Sequence, residues 1–160
     1  MFGLFKKDFQ LIAPVSGTTM NLSEVPDEVF AGKMAGDGLA INPTDDVFVA
    51  PADGELNLIF KTNHAFALTL SNGVELLVHI GVDTVSLNGE GFERLIEPGV
   101  KVKAGTPIIK INKDFILSKG FSLATPLLIT NVDDSIKEFK NLIGKTVTGG
   151  QDVVLTYKIK

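Results

Sequence analysis

The sequence predicts an all-β fold, an antiparallel β-sandwich or barrel-like domain with pseudo-duplicated hairpins and a few short helices. Three observations carry this expectation. From Phe9 onward, short apolar runs are punctuated by Gly, Pro, Asn and Asp, the spacing of strands and turns. Asn72-Gly73 separates two apolar stretches, the strongest short-range hairpin cue. Gly99, Val102, Gly105, Ile108 and Ile109 recur at the same spacing as Gly144, Val147, Gly150, Val153 and Val154. That pattern indicates two related glycine-turned hairpins, since a solenoid needs more repeats.

Taken in order, the chain divides into a short N-terminal tail, 1–10, and a single domain, 11–160. In the tail, Phe2, Leu4 and Phe5 stand beside Lys6 and Lys7, too short a segment for a membrane-surface helix. Leu11-Ile12-Ala13-Pro14-Val15-Ser16-Gly17 and Val49-Ala50-Pro51-Ala52-Asp53-Gly54 share Ala-Pro-x-x-Gly. In each, proline marks the edge or start of a strand and glycine a turn. Three stretches carry weak helical signals. Val25–Ala31 has an early proline and acids in its first turn. Lys113–Gly120 offers Asp114 as a cap and Gly120 as a stop. In Asp133–Leu142, Ile136, Phe139 and Leu142 stand at helical spacing.

A chain of 160 residues with no linker should fold as one domain, burying about 70% of the surface its unfolded form exposes. A net charge of −4 and a pI near 5.1 argue against nucleic acid and favour partners with a basic face. The chain has no cysteine, which removes disulfides, thiolate metal sites and a cysteine nucleophile, and fits a reducing cytosol. There is no signal-peptide pattern, and no apolar run nears the roughly 20 residues that span a bilayer. The expectation is a soluble, cytoplasmic protein.

The only two histidines, His64 and His79, flank the Asn72-Gly73 turn. If those two residues alone form the loop, facing residues have numbers summing to 145, and Phe66 faces His79. His64 then shares a face with Phe66, a diagonal neighbour of His79 at roughly 7–8 Å. A three-residue loop would shift the register by one and send the histidines to opposite faces. This pairing is therefore required for them to meet.

Two adjacent neutral imidazoles suit a phosphohistidine site, two-thirds of a zinc site, or a pair of satisfied core side chains. Zinc hydrolysis wants a third protein ligand. With no third His and no Cys, that ligand would be Asp27, Asp83 or another carboxylate, and neither His-x-His nor His-Glu-x-x-His occurs. No metal or other cofactor is required, though His64 and His79 could hold adventitious zinc completed by a partner's carboxylate. Gly32-Lys33-Met34-Ala35 lacks the frame of a biotin- or lipoyl-bearing lysine, and Gly89-Glu90-Gly91-Phe92-Glu93 lacks the Lys-Ser/Thr of a phosphate loop.

The run Gly73-Val74-Glu75-Leu76-Leu77-Val78-His79-Ile80-Gly81-Val82-Asp83-Thr84-Val85 resembles the active-site signature of the glucose-type enzyme IIA of the bacterial phosphoenolpyruvate-dependent sugar phosphotransferase system. So do Thr62-Asn63-His64-Ala65-Phe66, Val25-Pro26-Asp27 with Val29-Phe30, Gly36-Asp37-Gly38, Gly89-Glu90-Gly91-Phe92 and Thr125-Pro126. The resemblance runs from Leu11 over nearly the whole chain. It departs at Leu77, where other members have phenylalanine, and in a tail shorter than that of enteric members.

The resemblance implies an antiparallel β-sandwich. It also implies that Nε2 of His79 takes a phosphoryl group from the histidine-containing phosphocarrier protein and passes it to a cysteine of an enzyme IIB domain. His64 would support the phosphohistidine, and Thr62 would orient His64. Asp27 and Asp83 would pair with an arginine of the donor. An apolar apron shielding the phosphohistidine is expected from Val29, Phe30, Met34, Phe60, Phe66, Leu77 and Ile80. Family members also regulate targets such as glycerol kinase and sugar permeases. A regulatory adaptor using the same histidine-centred patch is thus the alternative reading, and a zinc peptidase the third.

Overall fold

A computed structural model describes residues 8–160, so the Phe2–Lys7 part of the tail lies outside the described residues. The first half of the chain supplies β1 (Phe9–Ile12), β2 (Gly17–Asn21), α1 (Glu28–Ala31), β3 (Asp37–Pro43), β4 (Val47–Val49), β5 (Gly54–Ile59), β6 (Ala65–Thr69) and β7 (Glu75–His79). The second half adds β8 (Phe92–Arg94), β9 (Val100–Val102), β10 (Pro107–Ile111), α2 (Lys113–Ser118), β11 (Thr125–Ile129) and α3 (Val132–Ser135). It ends with β12 (Ile136–Asn141), β13 (Thr146–Val147) and β14 (Val153–Ile159). Single turns of 3-10 helix follow β2 and β7. The first described strand, β1, begins at Phe9 and overlaps the stretch assigned to the tail.

One large sheet has the order β13-β2-β3-β11-β7-β6-β5-β9, and two three-stranded sheets have the orders β1-β14-β12 and β4-β10-β8. Every pairing in the large sheet is antiparallel. Alternation along each strand gives the large sheet two faces. Its inner face sends Leu39, Ile41, Leu56, Phe66, Leu68, Leu76, Val78 and Leu127 into the main core, against Leu11, Phe48, Ile108, Ile109, Val154 and Leu155 of the small sheets. Its outer face carries Ala40 and Leu128, covered by Leu22, Val25 and Phe30 from the segment between β2 and β3. A second, smaller apolar cluster thus roofs the middle of the sheet.

The two glycine-turned repeats are corners and not the expected hairpins: β9 and β10, on either side of Gly105, pair in different sheets, and so do β13 and β14 about Gly150. The two Ala-Pro segments nevertheless bond in matching ways. The Ile12 amide donates to the Pro51 carbonyl (2.8 Å) and the Val49 amide to the Pro14 carbonyl (2.7 Å). Gly150 donates to Ala13 and Gly105 to Ala50, each at 2.8 Å. Proline has no amide to give, but its carbonyl still accepts, so each Ala-Pro step closes the other's ladder.

Local chemistry explains where the helical expectations hold and where they move. Asp27 caps α1, its carboxylate accepting from the amides of Val29 (2.8 Å) and Phe30 (3.4 Å), so Pro26 precedes the cap. Helix α2 is capped by Asn112, which accepts from the Phe115 amide, and not by Asp114. Residues 136–141 form strand β12 and not a helix. A bulge between Ile136 and Glu138 shifts the pairing with β14 by one residue. The extra residue turns Ile136 and Phe139, three apart, toward the same core. Their spacing mimics a helix for that reason.

Candidate functional site

The hairpin of β6 and β7 pairs Ala65 with His79, Phe66 with Val78, Ala67 with Leu77 and Thr69 with Glu75. Facing numbers therefore sum to 144, and the expected two-residue loop is corrected. Leu70 donates to Val74 (2.9 Å) and Gly73 donates back to Leu70 (3.0 Å), closing a three-residue loop, Ser71-Asn72-Gly73. Only Gly73 of the Asn-Gly pair takes a positive φ, +89°. Asn72 uses its side chain, accepting from the Val74 amide and donating to the Tyr157 hydroxyl. A left-handed glycine in third position is the usual form of such loops.

In this register His79 shares the outer face with Leu77, while Phe66 and Ile80 turn inward. Both are fully buried in the main core. Phe66 and Ile80 therefore cannot line a docking surface, a second correction with the same cause, since a one-residue shift exchanges the faces of a strand.

The histidines meet despite the shifted register. Their ring centroids lie 5.0 Å apart, edge to face. His64 escapes the pleat because it precedes β6 and follows Asn63, whose φ of +62° bends the chain. The Asn63 amide donates to Phe60 (2.7 Å), and the Ile80 amide donates to the carbonyl of His64 (2.7 Å), tying the two histidine backbones together. Arg94 steadies the bend through a 3.0 Å bond from Nε to the Asn63 side chain.

Each imidazole has one nitrogen held by the protein. Nδ1 of His79 lies 2.8 Å from the carbonyl oxygen of Gly81. A carbonyl only accepts, so Nδ1 carries the proton and Nε2 keeps its lone pair. Nδ1 of His64 lies 2.7 Å from the Thr62 hydroxyl. With the hydroxyl donating, Nε2 of His64 becomes a donor. The pair thus offers one nucleophilic nitrogen beside one hydrogen-bond donor.

Aromatic neighbours keep the pair dry. Phe30 lies over His79 with centroids 4.8 Å apart, and Phe60 meets His64 edge-on at 5.3 Å. His64 is only 4% exposed. Burial, reinforced by His79, lowers its pKa to about 4. Burial also lowers that of His79, against an opposing pull from the Gly81 carbonyl and the carboxylates of Asp27 and Asp83.

Among the other expected site residues, Val29 and Met34 are exposed, and Phe30 is buried against His79. Phe60 and Leu77 are half-buried. Leu77 packs on the outer cluster. Asp27 is half-buried and Asp83 exposed. Val85, 51% exposed, is a further apolar surface residue close to the site in sequence that residue patterns do not flag. Nor do they single out Gly81, whose contribution is a main-chain oxygen. For a metal, His64 and His79 supply two ligands, and among the described residues no three His, Asp or Glu side chains gather as a ligand set. No helix of the described residues is long and apolar enough to cross a membrane.

Comparison with known proteins places the whole chain in a family. The family model described as phosphoenolpyruvate-dependent sugar phosphotransferase system, EIIA 1, matches residues 9–135. A glucose-specific EIIA component of Bacillus anthracis is 43% identical over 162 residues, covering 100% of this chain and 98% of that protein. An N-acetylglucosamine-specific EIICBA component of Klebsiella pneumoniae is 47% identical over 139 residues, 87% of this chain but only 21% of that longer protein. The solved structure of glucose permease IIA from Mycoplasma capricolum superposes with a TM-score of 0.86 at 40% identity, covering 95% of this chain and 97% of that one. The chain belongs to the EIIA 1 family of the phosphoenolpyruvate-dependent sugar phosphotransferase system and is a phosphotransferase component of sugar transport.

Proposed function

We propose that Nε2 of His79 is the atom that carries the phosphoryl group. One observation bears most of the weight: the Gly81 carbonyl holds Nδ1–H, leaving Nε2 unprotonated as a nucleophile. The donor is the histidine-containing phosphocarrier protein, with the phosphate on its own imidazole. Nε2 attacks phosphorus, the new N–P bond forms as the donor's N–P bond breaks, and the electron pair returns to the donor ring. The proton on Nδ1 stays in place, and the Gly81 oxygen stabilises the positive charge that the ring acquires. In the second transfer a cysteine thiolate of an enzyme IIB domain attacks phosphorus, and Nε2 leaves with its electron pair. The EIICBA relatives, with a matching segment inside one longer chain, support an enzyme IIB partner.

His64, oriented by Thr62, donates from Nε2 to a phosphoryl oxygen. Transfer of this kind depends on positioning and charge stabilisation, so it calls for no metal. Zinc on His64 and His79, completed by a partner's carboxylate, would occupy the same nitrogens and compete with phosphorylation. Val29, Met34 and Phe60, with Leu77 beneath, form the apolar part of the docking surface, and Asp27 and Asp83 offer carboxylates to an arginine of the donor. The same exposed rim suits regulatory targets such as glycerol kinase or sugar permeases, and the cytoplasm is where these carriers would meet.

Incubation with labelled phosphoenolpyruvate, enzyme I and the phosphocarrier should give acid-labile, base-stable phosphate on the chain. His79→Ala should take up none, and His64→Ala should accept phosphate but fail to pass it on. Label on the His79→Ala variant would overturn the assignment, and an unlabelled wild-type chain would favour the adaptor.

A further inference from the structure

We propose that Thr84 is a positioning residue for His79: its buried hydroxyl, donated to the Ile80 carbonyl, locks the backbone that aims the Gly81 oxygen at Nδ1. The inference rests on the reading that His79 carries the phosphoryl group.

The backbone after β7 leaves the ladder abruptly. The Ile80 amide still pairs with His64 (2.7 Å), but Gly81 then takes φ +80°. Two peptide planes meet at this glycine, and its freedom of rotation must be removed for its carbonyl to hold a fixed direction. The following plane is held by the Val82 amide, which donates to the Ser122 carbonyl at 3.0 Å. The preceding plane is held by Thr84, whose Oγ1 donates to the Ile80 carbonyl at 2.6 Å.

Thr84 is fully buried, one of few buried polar side chains among the described residues. Its hydroxyl satisfies a main-chain carbonyl four residues back, and a buried carbonyl without a donor is costly. Its methyl packs against the same hinge. A Cβ placed on Gly81 would stand 2.6 Å from the Thr84 Cγ2 atom. The side chain therefore grips the Ile80–Gly81 backbone with both branches. Without the hydroxyl, the Ile80 carbonyl must turn toward another donor, and the rotation passes through Gly81 to the oxygen that sets the His79 tautomer.

The two branches can be separated. Thr84→Val keeps the shape and removes the donor, whereas Thr84→Ser keeps the donor and removes the methyl. Long-range proton–nitrogen NMR of the unphosphorylated chain reads the His79 tautomer directly. Thr84→Val should show protonation at Nε2 in a substantial fraction of molecules. Its phosphorylation rate at saturating donor should fall by about tenfold, with KM for the phosphocarrier unchanged. Thr84→Ser should keep the Nδ1–H tautomer and stay within about twofold of the wild-type rate. Should Thr84→Val not fold, Thr84→Ala takes its place: set against Thr84→Ser, which also lacks the methyl, it isolates the hydroxyl. A Thr84→Val protein with wild-type tautomer and rate would overturn the proposal. So would equal losses in the Val and Ser variants that follow thermal stability alone. Phosphate found on a residue other than His79 would sink the parent reading instead, and the tautomer measurement would stand apart from it.

Discussion

Nδ1 of His79 lies 2.8 Å from the carbonyl oxygen of Gly81, whereas His64 turns its own Nδ1 to a hydroxyl, that of Thr62, at 2.7 Å. Two imidazoles in edge contact are thereby made unlike. The ring facing the carbonyl has a fixed proton and a free lone pair on Nε2. The ring facing the hydroxyl can present a donor. Burial then keeps both neutral at ordinary pH, since a charged ring would lose more hydration than its neighbours return.

The first prediction is a titration. His64 should titrate near pH 4 and His79 below its usual 6.5, so the neutral form of each ring predominates from pH 6.5 to 8. Phosphoryl acceptance should be flat across that range as far as this chain's histidines control it. NMR titration of the ring carbon protons checks this, and two ordinary midpoints near 6.5 would show that the site is wetter than its packing indicates.

A stability effect follows from the same burial. Above pH 6.5, His64 is neutral in the folded and the unfolded chain alike. Between 6.5 and about 4, the unfolded chain binds a proton that the folded chain refuses, so stability falls as pH falls. The loss is complete once the pH drops through the folded value, and amounts to about 3 kcal/mol. Denaturant unfolding at pH 7 and at pH 4 should show this difference in the wild type, and a smaller one in His64→Gln. Equal pH dependence in both would assign the acid lability to other groups.

Phe30 bears on the site differently. Its ring lies 4.8 Å from that of His79 and is 7% exposed, anchored by α1 through the Asp27 cap. Phe30→Ala should admit water to His79 and raise its pKa toward the ordinary value. It should also destabilise the domain by about 3 kcal/mol, the cost of a buried phenyl ring. The two readouts separate cleanly. A stability loss with an unmoved His79 midpoint would mean that Phe30 only packs the outer cluster.

The parts of this protein legible in sequence are those whose signal is local. The short turn of helix in Val25–Ala31, the Ala-Pro repeats and the paired glycine turns each use backbone preferences of single residues, and the duplication reappears in space as Gly105 and Gly150 donating to equivalent alanines. What resists reading is register. Asn72-Gly73 fits a two-residue loop as well as a three-residue one, and in the three-residue loop Asn72 bonds Tyr157, 85 residues away, a partner no local pattern names. Bulges act the same way at Ile136. The encounter of the histidines is harder still, because it depends on a left-handed Asn63 and not on the strand's alternation. The histidines meet without the two-residue register that the sequence makes a condition for it, and Phe66 and Ile80 lie on the opposite face from the one that register assigns them.

The last prediction contrasts two glycines that share a left-handed backbone. At Gly73, with φ +89°, nothing lies within 4 Å of an added Cβ. Gly73→Ala should therefore cost only the conformational strain, about 1–2 kcal/mol, and leave phosphoryl transfer unchanged. At Gly81, with φ +80°, an added Cβ would stand 2.6 Å from the Thr84 methyl and 2.9 Å from the Ser122 carbonyl. The Ser122 carbonyl is main chain and holds Val82, so it cannot yield without moving the segment that carries the Gly81 oxygen. Gly81→Ala should add a steric cost to the same strain and weaken the bond to His79. Thermal unfolding should rank the variants wild type, Gly73→Ala, Gly81→Ala, and a phosphorylation assay should show a loss only in the last. Equal activity in the two variants would mean that His79 keeps its orientation without the Gly81 carbonyl.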